Sequence, residues 1–304
     1  MELIHALETH SGFFLFAVGL LSLLVGSFLN VVIHRLPIML KTEWRDQCTE
    51  FLAEDNQQES RSETTNPEKT TPGKQKYNLM VPRSSCPKCG HQITAWENVP
   101  VLSYLWLKGR CSNCKTPISK RYPIIELMTA VLSVIVAWHF GFTWQCAAAL
   151  LLTWSLIALS LIDFDHKLLP DDITLSLLWL GILLNLFGVF TDSMSSIIGA
   201  VAGYLSLWSV YWLFKLVTGK EGMGYGDFKL LAMLGAWMGW QTLPGIVLLS
   251  SFVGAIIGVS LIVFRGRDKN IPIPFGPYLA IAGWIYLLWG SHITNLYFSV
   301  SGLQ

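Results

Sequence analysis

The sequence predicts an all-α polytopic membrane protein of about eight transmembrane helices, with a cytoplasmic insertion between helices 1 and 2. Composition is the first reason: 52% of the 304 residues are hydrophobic and only 13% are charged, against about 25% charged in a typical soluble domain. The second reason is a series of apolar runs of membrane-spanning length. The third is the placement of the Lys and Arg residues, which is strongly one-sided.

The apolar runs number eight, and each is long enough or nearly long enough to cross a bilayer. We expect them to be helical, because a helix satisfies its own backbone hydrogen bonds in lipid. The first run lacks a basic flank and is long for a signal peptide, so it is expected to remain as a membrane helix. The runs lie at 12–33, 123–140, 146–162, 173–190, 196–217, 229–240, 243–264 and 276–290.

The basic residues predict the orientation. Fourteen of the 21 Lys and Arg residues lie between Arg35 and Arg121, and with eight spans the other seven fall on the same side. Because positive loops stay inside, this side is predicted to be cytoplasmic and both termini periplasmic. The lipid bilayer is therefore an expected partner. Nucleic acid is not, since no basic stripe with interleaved aromatic residues is present.

These patterns divide the chain into three parts. Residues 1–33 form the first transmembrane helix, residues 34–122 the cytoplasmic insertion, and residues 123–304 a seven-helix membrane domain. Within the insertion, residues 41–78 are polar, bury little and are expected to be mobile. Residues 81–122 are richer in Cys, Pro and apolar residues and are expected to fold as a small module.

Four cysteines of this module have the spacing of a structural zinc site. Cys86 and Cys89 form one CxxC pair, Cys111 and Cys114 form a second, and 21 residues lie between the pairs, slightly beyond the typical ~15–20 residues. Four thiolates suit one tetrahedral Zn²⁺ and leave no position open for substrate. A redox dithiol is less favoured because no βαβ pattern is near, and disulfides are disfavoured in the cytoplasm.

Two other cysteines have no such partner in the sequence. Cys48 is interpreted as a spare loop thiol and Cys146 as a small apolar helix residue.

Two aspartates, Asp163 and Asp227, carry the strongest functional signal. Two apolar runs separate them, so both are predicted at the cytoplasmic membrane edge, on the third and sixth helices. Charged groups so close to hydrocarbon are costly and point to function. Two carboxylates at one site can divide general acid and general base work, which predicts a membrane-embedded aspartic protease.

Asp227 follows two glycines, Gly224 and Gly226. We expect these to permit unusual backbone conformations and close approach of an extended substrate. The neighbouring acids Asp165, Asp171 and Asp172 are predicted to be solvated loop residues or helix N-caps.

Several motifs follow one another along nearly the whole chain. They are Gly26 to Pro37, the CxxC pairs with Gly90-His91, Pro100 to Leu105, Ile118 to Glu126, Ile162-Asp163 with Leu169-Pro170-Asp171, and Gly224 to Lys229. With these motifs the chain closely resembles the bacterial type 4 prepilin peptidases, which are bifunctional leader peptidase/N-methyltransferases of the GxGD aspartic class.

The resemblance implies an enzyme of the bacterial inner membrane with Asp163 and Asp227 as its catalytic residues. It implies cleavage of type IV prepilins or type II secretion pseudopilins at the cytoplasmic face, then methylation of the new N-terminal residue by S-adenosylmethionine. No glycine-rich dinucleotide fingerprint marks the methyl-donor site. The resemblance places methyl transfer in the insertion, where Gly109 and Arg110 are the candidates.

Three other functions compete with this interpretation. Another GxGD intramembrane protease, without methyltransferase activity, would lack the CxxC module. A transporter would carry its carboxylates near mid-span, in repeated halves. A zinc-containing scaffold that only binds partners would keep its function when either aspartate is changed to Asn.

Overall fold

The computed structural model describes residues 9–59, 77–265 and 274–301. These residues are helical or irregular and contain no β-strand, only two isolated β-bridges, Ser85 with Gln92 and Arg110 with Pro117. The predicted all-α class is therefore confirmed. The chain divides into two compact units: a membrane unit of Met1–Gly26 with Glu126–Gln304, and a second unit of Ser27–Ile125.

In the part of the chain that the structure describes, each of the eight predicted runs overlaps a helix. Within the described residues, five segments are long and apolar enough to cross a membrane: Ser11–Ala53, Arg121–Phe140, Trp144–His166, Ser193–Thr218 and Trp240–Ser260. The helices are α1 Ser11–Glu59, α2 Leu102–Trp106, α3 Arg121–Phe140, α4 Trp144–His166, α5 Asp171–Asn185, α6 Ser193–Thr218, α7 Tyr225–Met238, α8 Leu243–Arg265 and α9 Gly276–Ser301, with 3₁₀ turns η1 Trp96–Asn98 and η2 Trp240–Thr242.

Helix α1 departs from the prediction. It was expected to end near residue 33, before a mobile polar stretch at 41–78, but it continues to Glu59 through Pro37. Extending a formed helix needs no new nucleation, and residues 41–59 are rich in Glu, Gln, Lys and Arg, which favour helix. The polarity of residues 41–53 correctly predicted that most of them are exposed, but it wrongly predicted that they are not helical. Residues 60–76 of the predicted mobile stretch lie outside the described residues.

Helix α7 is the centre of the membrane unit. Ten of its 14 residues are buried, from Asp227 to Trp237, and α5, α6, α8 and α9 contact it. Its tightest neighbour is α6, where Gly199 faces Gly235 and Gly203 faces the backbone at Leu231. A Cβ on Gly199 would collide with the Gly235 carbonyl oxygen. Small residues let membrane helices approach closely, and this contact fixes the helix that carries Asp227.

Asn185 holds the other end of α7 in place. Its buried amide donates to the carbonyl oxygens of Ala236 and Trp237 at 2.8 and 3.0 Å, and its Oδ1 accepts the N–H groups of Phe190 and Thr191. Buried polar side chains in native proteins are nearly always hydrogen-bonded, and Asn185 meets this requirement. Both ends of α7 are thus positioned by specific contacts.

Candidate active site and metal centre

Asp163 lies in the last turn of α4 and is only 6% exposed. Its Oδ2 accepts a hydrogen bond of 3.1 Å from the backbone N–H of Gly276, the first residue of α9. A Cβ on Gly276 would lie 2.6 Å from the same oxygen. The contact therefore depends on glycine at 276, which the sequence analysis did not identify. The hydrogen bond holds one carboxylate oxygen and fixes the orientation of the group.

Asp227 lies in the first turn of α7 and is also 6% exposed. Its Oδ1 is buried, and no group in the described part of the chain hydrogen-bonds to it. Buried polar atoms nearly always have partners, so one without a partner calls for an explanation. A carboxylate oxygen kept in this way is suited to bind water or a substrate group.

The structure brings the two aspartates to the same end of the membrane unit. Leu169, in the connection between α4 and α5, links their surroundings: it lies 2.8 Å from a Cβ placed on Gly226 and 3.3 Å from one placed on Gly276. The ends of α4, α7 and α9 therefore meet around one small volume.

The neighbouring acids are distinct from this pair. Asp165 and Asp172 are exposed. Asp171 opens α5 and forms an ion pair of 2.7 Å with Lys229 of α7. Asp171 was predicted to be a solvated or capping residue, and this ion pair was not foreseen. No sequence pattern indicates that two residues 58 positions apart will meet. Pro170, and not an aspartate, occupies the N-cap position of α5.

The predicted role of the two glycines before Asp227 needs correction. Gly224 and Gly226 are absent from the six described glycines that have positive φ, so unusual backbone conformation is not their contribution. Gly226 instead allows close approach of Leu169, whose Cβ would lie 2.8 Å from a Cβ at 226. Gly224 is the N-cap of α7 and has only ordinary contact space around it.

The four predicted cysteines converge in the second unit. Their Sγ atoms all lie within 4.8 Å of one another, with Cys86 3.7 Å from Cys114 and Cys89 4.0 Å from Cys111. A tetrahedral ion with bonds of about 2.3 Å separates its sulfurs by about 3.8 Å. The cluster could therefore hold a metal ion. Cys48 and Cys146 lie apart from it, on helices α1 and α4, so the expectation of a loop for Cys48 was wrong.

The two CxxC segments have the same backbone structure. In the first, the Cys86 N–H bonds the His91 carbonyl and the Gly90 N–H bonds the Cys86 carbonyl; in the second, Cys111 bonds Thr116 and Lys115 bonds Cys111 in the same way. Gly90 and Lys115 occupy matching positions with φ of +69° and +57°. Each segment is thus a knuckle that presents two sulfurs.

Glu97 joins the two knuckles. Hydrogen bonds from the Ser112 hydroxyl and from Thr94 lower the pKa of Glu97 to about 2, and His91 Nε2 lies 3.1 Å from its Oε2. Ser112 belongs to the second knuckle and His91 to the first. Sequence reasoning missed this residue because it lies outside both CxxC motifs. The signal that could have found it is that Glu97 is the only acid in residues 81–122.

The candidate methyl-transfer residues have structural explanations of their own. Gly109 has φ of +66°, and a Cβ there would lie 2.7 Å from the Tyr104 hydroxyl. Its backbone bonds Tyr104 and Ile118. Arg110 is exposed and pairs with Pro117 in a β-bridge. These contacts leave a methyl-transfer role untested.

Arg35 is another residue that sequence reasoning did not single out as structural. Its buried guanidinium donates to the carbonyl oxygens of Asn78, Leu79 and Pro82 and lies over the Tyr77 ring. Arginine offers several donors in a fixed plane, so one side chain fastens the entry of the cysteine module to α1.

Comparison with known proteins shows the family of this chain. The family model described as Bacterial Peptidase A24 N-terminal domain matches residues 20–140, and the Type IV leader peptidase family matches residues 150–259. The chain is 58% identical over 304 residues, all of both chains, to a prepilin leader peptidase/N-methyltransferase of Pseudomonas aeruginosa. It is 59% identical over 282 residues, 93% of each chain, to that of Aeromonas salmonicida, and 46% identical over 296 residues, 97% of this chain and 98% of the other, to that of Legionella pneumophila. No solved structure matches it significantly.

The fold and the site define a helical membrane protein with two buried carboxylates at one end of its membrane unit and a four-cysteine cluster in its second unit. The five apolar helices suit an inner-membrane protein. The chain belongs to the type IV leader peptidase family, as its sequence predicted.

Proposed function

We propose that this protein cleaves the leader peptides of type IV prepilins or type II secretion pseudopilins and methylates the new N-terminal residue. The observation that carries the proposal is the pair of buried carboxylates, Asp163 and Asp227, at the meeting point of three helix ends. Membership of a family whose relatives are named prepilin leader peptidase/N-methyltransferase supports both activities.

The carboxylates have the right chemistry for peptide hydrolysis. One ionised carboxylate takes a proton from water while the other, protonated, donates a hydrogen bond to the scissile carbonyl oxygen. The water oxygen forms a bond to the carbonyl carbon, the C–N bond breaks, and the leaving amine takes a proton. Asp163 Oδ2 already accepts a hydrogen bond from Gly276, so we assign the binding of water and substrate to its Oδ1 and to the unpartnered Oδ1 of Asp227.

The proposed topology brings the substrate to this site. We place eight spans in the inner membrane with both termini periplasmic, so that the aspartates lie at the cytoplasmic edge. The Lys and Arg distribution supports this orientation. A prepilin has a basic leader followed by an apolar helix. With the helix among the spans and the leader in the cytoplasm, the scissile bond would lie at the depth of the aspartates.

The cysteine cluster is proposed to hold one structural Zn²⁺ through Cys86, Cys89, Cys111 and Cys114. Four thiolates in tetrahedral spacing favour zinc among common divalent ions. Such an ion supplies folding free energy to a small module, and every position around it is filled by sulfur.

Methyl transfer is proposed to use S-adenosylmethionine at a site partly in the insertion, with Gly109 and Arg110 as its candidates. The pilin amine must be neutral to form the new N–C bond as the S–C bond breaks. Methylation should therefore weaken as pH falls below the pKa of the amine, about 7.7–8.0 when unperturbed.

The test is to incubate the purified protein with a prepilin, with and without S-adenosylmethionine, and to measure product masses. We expect the mature pilin in both reactions and one added methyl group only with the donor. A cleaved pilin that never gains the methyl group would remove the transferase half of the proposal. An intact prepilin would remove the peptidase half.

A further inference from the structure

The second unit carries an exposed apolar surface that neither activity explains. We define the tryptophan face as Trp96 of η1 with Leu102, Leu105 and Trp106 of α2. Trp96 and Trp106 are each 86% exposed, and Leu102 and Leu105 are 64% and 66% exposed. Exposed apolar patches of this kind mark interaction sites in soluble modules.

Helix geometry places three of the four side chains together. Positions 102, 105 and 106 are related by i, i+3 and i+4, which places them on one side of α2. Helix α2 contacts η1, the turn that carries Trp96. Tyr104 turns the other way: its hydroxyl packs against Gly109 and bonds the Ile118 carbonyl. The module therefore holds α2 by one side and presents the other.

The backbone before α2 is strained in this arrangement. Val101 precedes the helix with φ of +59°, a conformation that a β-branched residue rarely adopts. Such strain persists only where the surrounding structure imposes it. The turn that projects α2 is therefore held by its surroundings and is not a relaxed loop.

The charge of the module selects the partner. Residues 81–122 contain seven Lys and Arg residues and a single acid, Glu97. Four thiolates with one divalent ion carry two negative charges, so a basic excess remains. Lys108 and Arg110 directly follow α2 and are exposed. A basic surface beside exposed Trp and Leu matches an anionic bilayer, where Trp prefers the headgroup level and Lys and Arg pair with lipid phosphates.

The chain also keeps this module within reach of a bilayer. It enters the second unit through α1 and leaves through α3, and both contain segments apolar enough to cross a membrane. We propose that the tryptophan face inserts into the headgroup region of an anionic bilayer and holds the cysteine module on the membrane surface. This contact is separate from both activities and can be tested without substrate.

The test places a photo-cross-linking residue, p-benzoyl-phenylalanine, at position 106 of the full chain in lipid nanodiscs. A second variant carries it at position 105, in case replacement of Trp106 disturbs the fold. The control carries it at Asn113, an exposed polar position in the second knuckle of the same module. Each variant must retain the metal content of the unmodified protein.

We expect lipid adducts at positions 105 and 106, far above those at 113, by mass spectrometry after irradiation. Replacing phosphatidylglycerol with phosphatidylcholine should lower their yield by about fivefold or more, since each basic residue near an anionic surface contributes about that factor. Cross-links to another part of this chain or to a second copy would overturn the proposal, as would equal adducts at 113. Equal yields in both lipids would refute the electrostatic part.

Discussion

The cysteine cluster and the aspartate pair differ in how far the chain must travel to build them. Each cysteine knuckle is complete within six residues, and its hydrogen bonds run between Cys86 and His91 or between Cys111 and Thr116. The aspartate site needs the end of α4, the start of α7 and the start of α9, with Asp163 and Gly276 separated by 113 positions.

This difference has a physical consequence for how each site tolerates change. A knuckle is held by local backbone geometry and, in our proposal, by the binding free energy of an ion. The carboxylates are held by helix packing, through the glycine contacts of α6 with α7 and the hydrogen bond from Gly276. Small steric changes far away in sequence should therefore damage the aspartate site more than the cysteine cluster.

The largest expected effect is on the carboxylates themselves. Asp163→Asn and Asp227→Asn should each lower prepilin cleavage by about 10²- to 10⁴-fold, because both acid and base are needed. Product mass assays on folded, membrane-inserted protein measure this. Asp165→Asn is the control, since Asp165 is exposed, and it should stay close to wild type. Normal cleavage by either buried variant would disprove the pair.

Removal of the metal should have the second-largest effect, and this effect should be confined to the second unit. Purified protein should contain one zinc ion per chain, and replacing Cys86, Cys89, Cys111 and Cys114 with Ser should abolish it. Because zinc binding in small modules contributes about 10–16 kcal/mol of apparent free energy, hydrogen exchange should become fast across the two knuckles. Amides of α7 should keep their protection, since α7 belongs to the membrane unit. Stoichiometric zinc in the four-Ser variant would refute the ligand set.

Two glycines of α9 offer a matched pair for the aspartate site. A Cβ on Gly276 would lie 2.6 Å from Asp163 Oδ2, and a Cβ on Gly283 would lie 2.6 Å from Leu234 Cδ2. Gly276→Ala should lower kcat for cleavage by about 10²-fold, the effect of a misplacement of about 1 Å, with little change in KM.

Gly283→Ala is the control for that substitution. It should show a comparable loss in thermal stability but nearly normal kcat, because it displaces a core side chain and not a carboxylate. Equal kcat in the two variants would mean that Gly276 serves packing alone and does not position Asp163.

The smallest expected effect compares the two knuckles. Gly90 and Lys115 have similar positive φ, and a Cβ at Gly90 would meet nothing within 4 Å. Gly90→Ala should therefore destabilise the module by about 1 kcal/mol through conformation alone. Lys115→Gly should stabilise it by less, since it also loses a hydrogen bond to the Ser112 carbonyl. Metal retention against a chelator measures both, and the same sign for both would contradict a shared knuckle geometry.

The cysteine ligands were predictable from sequence because their spacing is itself the geometry: two residues between cysteines suffice to form a knuckle. The helical class and the approximate positions of eight helices were predictable from apolar run lengths. The end of α1 was not predictable, because the length of an apolar run indicates which residues are buried. It does not show whether the helix continues into the polar residues that follow. Residues that meet only through tertiary packing, such as Arg35 with Pro82 or Asp171 with Lys229, left no local pattern.

Counting apolar runs placed Asp163 and Asp227 on one face, and that much the chain determined by itself. Which oxygen is held, which stays without a partner, and why position 276 must be glycine were decided only by the tertiary structure. The reason is one of range. Helix formation and hydropathy depend on neighbours within a few residues, whereas a hydrogen bond from the start of α9 to the end of α4 exists only once the helices between them have packed.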